Sequence, residues 1–168
     1  MGCLISNGIT RSCDWAIGGI KSSIWLANAE DFTALYASTG QVTGATVATG
    51  ATFYEFQQEP QSASLTQSLA VGTLFVAQTA TFALAGLTQA KIQTLNTLAL
   101  SQVMVIAKAN DGNYYWIGDN GSSLKPAVEV TTGVADADAA NAVITLTGSN
   151  KGFAPVVAVS ALAALGIS

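Results

Sequence analysis

The chain has no histidine and few charged residues, and both shortages exclude kinds of chemistry. Charged residues make up 10% of its 168 residues, whereas soluble domains carry about 25%. Without histidine, neither a Ser-His nor a Cys-His nucleophilic pair can form, and the commonest metal ligand is missing. We therefore expect no enzyme, no cofactor and no metal site, and a surface much of which is covered by partners.

Cysteine and clustered positive charge are also scarce. Cys3 and Cys13 are the only cysteines, and their spacing matches no zinc pattern. We predict reduced thiols, with a local disulfide as the alternative. The six Lys and Arg residues stand apart in the sequence, so no basic run predicts nucleic-acid binding. A net charge of −4 is compatible with nucleic acid moving past the surface without binding.

Two close pairs of carboxylates are candidates for acid–base chemistry. Asp136 and Asp138 lie in VADADAAN, and Glu55 and Glu59 lie at the end of a predicted strand. The usual requirements of an active site are not met, because the sequence offers no nucleophile–base pair. We interpret the first pair as part of a solvated turn and the second as the charged rim of a strand.

Residues 60–90 contain no charged residue, and their side chains alternate between apolar and small polar types. This period of two predicts two strands, over residues 63–71 and 73–85, joined at Gly72 into one long hairpin. Gln78 and several threonines interrupt the apolar run, so we expect neither a spanning helix nor a membrane partner. A long hairpin without charge promotes aggregation of a monomer. The segment therefore predicts pairing with other copies of the chain.

The rest of the chain predicts mostly strands. We expect them over residues 23–29, 52–58, 102–109, 113–118, 126–132, 142–147 and 153–160, and a short one within the loop 38–50. Residues 32–37 fit either a strand or a short helix. One helix is predicted over residues 88–100, with Thr88 as its N-cap. The sum is a single all-β domain, a β-sandwich or barrel with a long hairpin and one inserted α-helix.

The order of these elements resembles the phage tail tube superfamily. The matching pieces are the hairpin 63–85, the helix 88–100, the strand–turn–strand VMVIAKANDGNYYWIG and the late strand AVITLTGSNKG. The stretch NGITRSCDWAIGGIKSSIWLANAEDF resembles virion structural proteins of phages that infect Bacteroidetes. Together the resemblance covers residues 7–160, through motifs of low specificity. Residues 1–21 are either an N-terminal arm that reaches another ring or part of the sheet.

The resemblance implies a virion structural protein that forms rings, usually hexamers, around a shared β-barrel lumen. Such rings stack into a tube, contact other tail proteins and conduct DNA during ejection without binding it specifically. On this hypothesis one hairpin face lines the lumen: Ser64, Thr66, Ser68, Thr79 and Thr81. The opposite face is predicted to pack on the domain core: Leu65, Leu69, Leu74, Val76, Phe82 and Leu84.

Two other functions fit the same strand pattern. A head–tail connector ring, a tail terminator or a capsid decoration protein would also be a virion subunit with a similar fold. A secreted adhesin or pilin-like subunit is the second alternative, and the start MGCLISNG disfavours it because it contains no secretion signal.

Overall fold

The structure is a computed structural model that describes residues 18–69, 72, 74–132 and 140–167. Cys3, Cys13, Asp136 and Asp138 lie outside the described residues, as does most of the N-terminal segment 1–21. Within the described part, strands predominate and two α-helices occur. The predicted all-β sandwich with an inserted helix is confirmed.

Ten strands and two α-helices follow one another along the described chain. The first seven strands are β1 (Ile20–Asn28), β2 (Phe32–Tyr36), β3 (Val42–Val47), β4 (Tyr54–Gln57), β5 (Ser64–Leu69), β6 (Val76–Ala85) and, after the helix α1 (Gln89–Leu100), β7 (Val103–Ala109). The last elements are β8 (Tyr114–Ile117), β9 (Lys125–Thr131), β10 (Asn141–Asn150) and the helix α2 (Val159–Ala164). A short 3-10 helix, Ala29–Asp31, connects β1 to β2.

The strands form two four-stranded antiparallel sheets and one separate hairpin. Sheet I has the strand order β4-β1-β7-β8, and sheet II has the order β5-β6-β10-β9. Strands β2 and β3 form the hairpin. Both sheets are open at their edges within the described chain, so the architecture is a sandwich and the barrel alternative is wrong for the single subunit.

The principal core lies between the two sheets. Sheet I contributes Ile24, Val105 and Ile117, and sheet II contributes Phe82 and Ile144. Helix α1 packs its buried leucines against this core near β9. The side chain of Thr88 accepts a hydrogen bond from the backbone N–H of Lys91 at 3.3 Å, as predicted for the N-cap.

A second core lies on the other face of sheet I. Trp25, Met104, Ile106 and Trp116 project from the sheet and are covered by the β2–β3 hairpin and by α2. Sheet I is therefore buried on both faces, which explains why β7 has the nearly continuous apolar sequence VMVIAKA. Among the residues that the structure describes, those of sheet II are covered on one face only, and most of β6 alternates between buried and more exposed side chains.

Residues 155–158 connect sheet I to the β2–β3 hairpin through backbone hydrogen bonds. The N–H groups of Trp116 and Val157 complete the pairing between β8 and this segment, at 3.0 and 2.8 Å. On its other side, the N–H of Val42 donates to the carbonyl of Val156, and the N–H of Ala158 donates to the carbonyl of Val42. The segment thus extends sheet I towards β3.

The last predicted strand, over residues 153–160, is wrong in its second half. Residues Val156 and Val157 make isolated bridges, but helix α2 begins at Val159. The sequence SALAA that follows consists mainly of good helix formers, and Gly166 adopts a positive φ of 72° after the helix. Ala161 and Leu162 of α2 are buried in the second core, so tertiary packing stabilises this short helix.

Gly148 of β10 occupies a position that is too crowded for any side chain. A Cβ atom there would lie 2.7 Å from Cδ2 of Leu124 and 3.0 Å from the carbonyl oxygen of Ser123. We expect Gly148→Ala to lower the free energy of unfolding by about 1–3 kcal/mol, because Leu124 is fully buried and has little space to move.

The matched control for this substitution is Gly152→Ala, because nothing lies within 4 Å of a Cβ at Gly152. We expect a change within about 0.5 kcal/mol for the control. Urea unfolding of the two variants measures the difference. Equal unfolding midpoints would show that the packing around Leu124 is looser than the structure has it.

Candidate functional site

The outer face of sheet II is the most distinctive surface of the described chain. The inner face of the sheet belongs to the principal core, whereas side chains of the outer face point away from it. The outer face is composed mainly of small residues with hydroxyl or methyl groups: Ser64, Thr66 and Ser68 of β5; Ala77, Thr79 and Thr81 of β6; Thr145, Thr147 and Ser149 of β10; and Ala127 of β9. We name this surface the hydroxyl face.

The strand register aligns these side chains in rows across the sheet. Thr81 of β6 pairs with Ser64 on one side and with Thr145 on the other. The next row places Thr79 between Thr66 and Thr147. Because outer-face side chains recur every second residue along each strand, the rows are about 7 Å apart. The result is a continuous patch of small, uncharged polar groups across three strands.

Charge is confined to one edge of the hydroxyl face. Lys125 and Glu129 lie on β9, which is an edge strand of sheet II. The cross-strand partners of Lys125 and Glu129 on β10 are Thr147 and Val143, which are uncharged. The centre of the face therefore offers hydrogen-bonding hydroxyl groups but no ion-pairing site for a phosphate.

The five residues predicted to face a lumen all lie on the hydroxyl face. Ser64, Thr66 and Ser68 are exposed, and Thr79 and Thr81 are half-buried. A lumen needs several subunits, so the lumen assignment itself stays a prediction. Along β5 and β6 these side chains alternate with more buried ones on the core side.

The six residues predicted to face the core divide into two groups. Val76, Phe82 and Leu84 are buried, and half-buried Leu65 packs against the principal core. Leu69 and Leu74 are 53% and 86% exposed, so their assignment to the core is wrong. Leu69 is the last residue of β5 and Leu74 precedes β6. Both positions lie at the end of the hairpin, and Leu69 belongs to β5, an edge strand of sheet II.

Sequence reasoning missed the contribution of β10 to the hydroxyl face. The signal is present in NAVITLTGSN, where Thr145, Thr147 and Ser149 alternate with buried Ile144 and Leu146. The predicted lumen face includes only residues of the charge-free hairpin, because nothing in the local sequence indicates that β10 pairs with β6 along ten residues. Such long-range pairing is a property of the fold and not of either segment.

Gln67 and Gln78 form a glutamine pair that holds the β5–β6 hairpin against the segment following β10. Gln78 is 1% exposed, and its Nε2 donates to Oε1 of Gln67 at 3.2 Å. The same Oε1 atom accepts the backbone N–H of Ala154 at 2.6 Å, and Nε2 of Gln78 also donates to the carbonyl of Gly152 at 3.4 Å. Because buried amides need partners, these contacts fix the position of the hairpin relative to β10.

Hydrogen bonds and burial shift the pKa of several titratable groups among the described residues. Backbone and side-chain hydrogen bonds from Asn113 lower the pKa of Asp111, which lies in the exposed β7–β8 turn. Burial and neighbouring Asp119 raise the pKa of Tyr36. Glu55 accepts a hydrogen bond from Oγ of Ser23 at 2.6 Å. Within the described ranges, no three His, Cys, Asp or Glu side chains are grouped so as to hold a metal ion.

No helix in the described part of the chain has both the length and the apolar character needed to cross a membrane. Family models, curated proteins and solved structures give no match to the chain.

Proposed function

We propose that this chain is a structural subunit of a virion, and that it builds the tail tube of a phage as stacked rings. The observation that carries the proposal is the hydroxyl face, a broad sheet surface of small, uncharged side chains in a chain with little charge overall. In a ring, this face lines the channel. Its central rows present neither cations that would retain DNA nor large side chains that would obstruct it, and its one lysine, Lys125, lies on the edge strand β9, which also carries Glu129.

The topology of sheet II supports ring closure by strand pairing. Each of its four strands is antiparallel to its neighbours, so the edge strands β5 and β9 run in opposite directions. Rotation about a ring axis keeps each subunit in the same orientation, and β9 of one copy then lies antiparallel to β5 of the next. Sheet II of every copy can join into one closed barrel, which leaves sheet II without a free edge.

The charged residues of β9 are compatible with such a joint. The edge strand β5 carries no charge, so pairing it with Lys125 and Glu129 of β9 brings no like charges together. In the closed barrel β9 is paired on both sides, so Pro126, which has no N–H group, donates no ladder hydrogen bond at its position. Contacts between β9 of one copy and β5 of another are heterologous, and heterologous contacts close into rings when the rotation permits.

Negative-stain electron microscopy of the purified full chain tests the proposal. We expect rings with an open channel, and stacks of these rings at higher protein concentration. A chain that remains monomeric at high concentration, even after seeding with assembled material, contradicts the proposal. Rings that never stack would instead favour the connector or terminator alternative, because those subunits act as single rings.

A further inference from the structure

The connection between β8 and β9 contains an Asn-Gly pair at the centre of a short turn. Asn120 and Gly121 are both exposed. Asp119 and Ser122 close the turn, because each backbone N–H donates to the carbonyl of the other residue, at 3.2 and 2.9 Å. Gly121 has a φ of 95°, a backbone conformation that glycine adopts at little cost. The pair is therefore held at the surface, in contact with water.

An asparagine that precedes a glycine is chemically labile, because its side-chain amide can react with the backbone. The backbone nitrogen of glycine bonds to Cγ of asparagine, the bond from Cγ to Nδ2 breaks, and ammonia leaves with the proton of the backbone N–H. Water then adds to one of the two carbonyls of the cyclic imide and opens it to aspartate or isoaspartate. Glycine favours the first step because it has no Cβ to obstruct the approach.

Both reacting groups of the Asn120-Gly121 pair are available for this reaction. The backbone hydrogen bonds that close the turn use the N–H groups of Asp119 and Ser122 and leave that of Gly121 unused. Asn120 donates its backbone N–H to Oδ1 of Asp119 at 2.8 Å, and its side-chain amide makes no hydrogen bond with the part of the chain that the structure describes. Apart from the adjacent residues, no atom lies within 4 Å of the position of a Cβ on Gly121.

Other asparagines of the described ranges lack this combination of features. Nδ2 of Asn110 donates to the carbonyl of Gly18, and Nδ2 of Asn113 donates to Oδ2 of Asp111, each at 2.9 Å. Both asparagines precede a residue with a side chain. The second Asn-Gly pair of the sequence, Asn7-Gly8, lies outside the described residues.

We propose that Asn120 is a site of spontaneous deamidation, through a cyclic imide with Gly121 and with water as the co-reactant. The product has one more negative charge than the original chain, whose formal net charge is −4. The new carboxylate lies beside Asp119, and residue 120 lines the same surface depression, of about 560 Å³, as Glu30. The turn therefore becomes more acidic as the protein ages. This inference does not depend on the proposed ring assembly.

Peptide mapping by mass spectrometry tests the proposal, after prolonged incubation of the full-length chain at mildly alkaline pH in heavy-oxygen water. Residue 120 should gain a single heavy oxygen, and a methyltransferase specific for isoaspartate should label the same peptide. Asn113 is the internal control, because it is exposed in the neighbouring β7–β8 turn but precedes Tyr114. We expect Asn120 to react at least about tenfold faster than Asn113, a difference of about 1.4 kcal/mol in activation free energy.

A variant and an unfolded control separate the outcomes. Asn120→Gln lengthens the side chain at an exposed turn position, so it should fold like wild type and lose the modification at residue 120. Equal rates at Asn120 and Asn113 would overturn the role of Gly121. An amide at Asn120 that survives in the folded chain but is lost from the chain in urea would overturn the proposal, because the turn would then protect the pair. Fragment masses identify residue 120 directly, so the result is independent of whether rings form.

Discussion

Val76→Glu is expected to prevent the chain from folding. Val76 is 2% exposed and points from β6 towards the core side of sheet II. An ionised carboxylate at this position would be buried without a partner, which costs several kcal/mol. We expect a loss of more than about 4 kcal/mol in the free energy of unfolding, a large share of the roughly 5–15 kcal/mol that stabilises a domain. Circular dichroism and soluble yield measure the loss.

Thr79→Glu is the matched control, since it introduces the same side chain three residues along the same strand but on the hydroxyl face. We expect the Thr79→Glu subunit to fold with a change within about 1 kcal/mol, because its carboxylate remains hydrated. It should also assemble into rings if the hydroxyl face lines an open channel. A folded Val76→Glu together with an unfolded Thr79→Glu would mean that the two faces of β6 are inverted.

Phe82→Ala is expected to destabilise the subunit by about 3–5 kcal/mol. Phe82 is fully buried near the middle of β6, and its ring packs edge-on against Phe56 with centroids 6.3 Å apart. Removal of the ring leaves a cavity between the two sheets and also loses this aromatic contact. Urea unfolding measures the change at a protein concentration where gel filtration shows the monomer, because assembly would raise the apparent stability.

Phe153→Ala tests whether the effect at Phe82 comes from burial. Phe153 is 59% exposed, so the same substitution there should change the free energy of unfolding by less than about 1 kcal/mol. A similar loss at both positions would indicate that the region near the glutamine pair is packed more tightly than the structure has it.

Most elements could be predicted from local patterns. The alternation in residues 73–85 gave β6 and its buried face, and Thr88 followed by apolar residues at spacings of three and four gave α1. These signals are local because a strand or helix in contact with one core must repeat its apolar residues with its own period. The prediction of a sandwich followed from the number and order of these strand segments.

The predictions that failed required information from distant parts of the chain. Alternation predicts which face of a strand Leu69 and Leu74 occupy, but not whether another element covers that position. The run VVAV after Pro155 has strong β propensity, yet its last residues pass into α2 because the second core receives Ala161, Leu162 and Leu165. The extension of the hydroxyl face onto β10 depended equally on a pairing partner more than fifty residues away.

The bridging position of residues 155–158 has a consequence for the order in which the subunit is completed during synthesis. These residues leave the ribosome after every strand that they connect, and the helix that closes the second core follows them. Until then, Trp116 and Val42 lack the backbone partners that this segment supplies. Contacts of such wide sequence separation form slowly. The second core of a nascent chain therefore cannot close before residues 155–158 and helix α2 have left the ribosome.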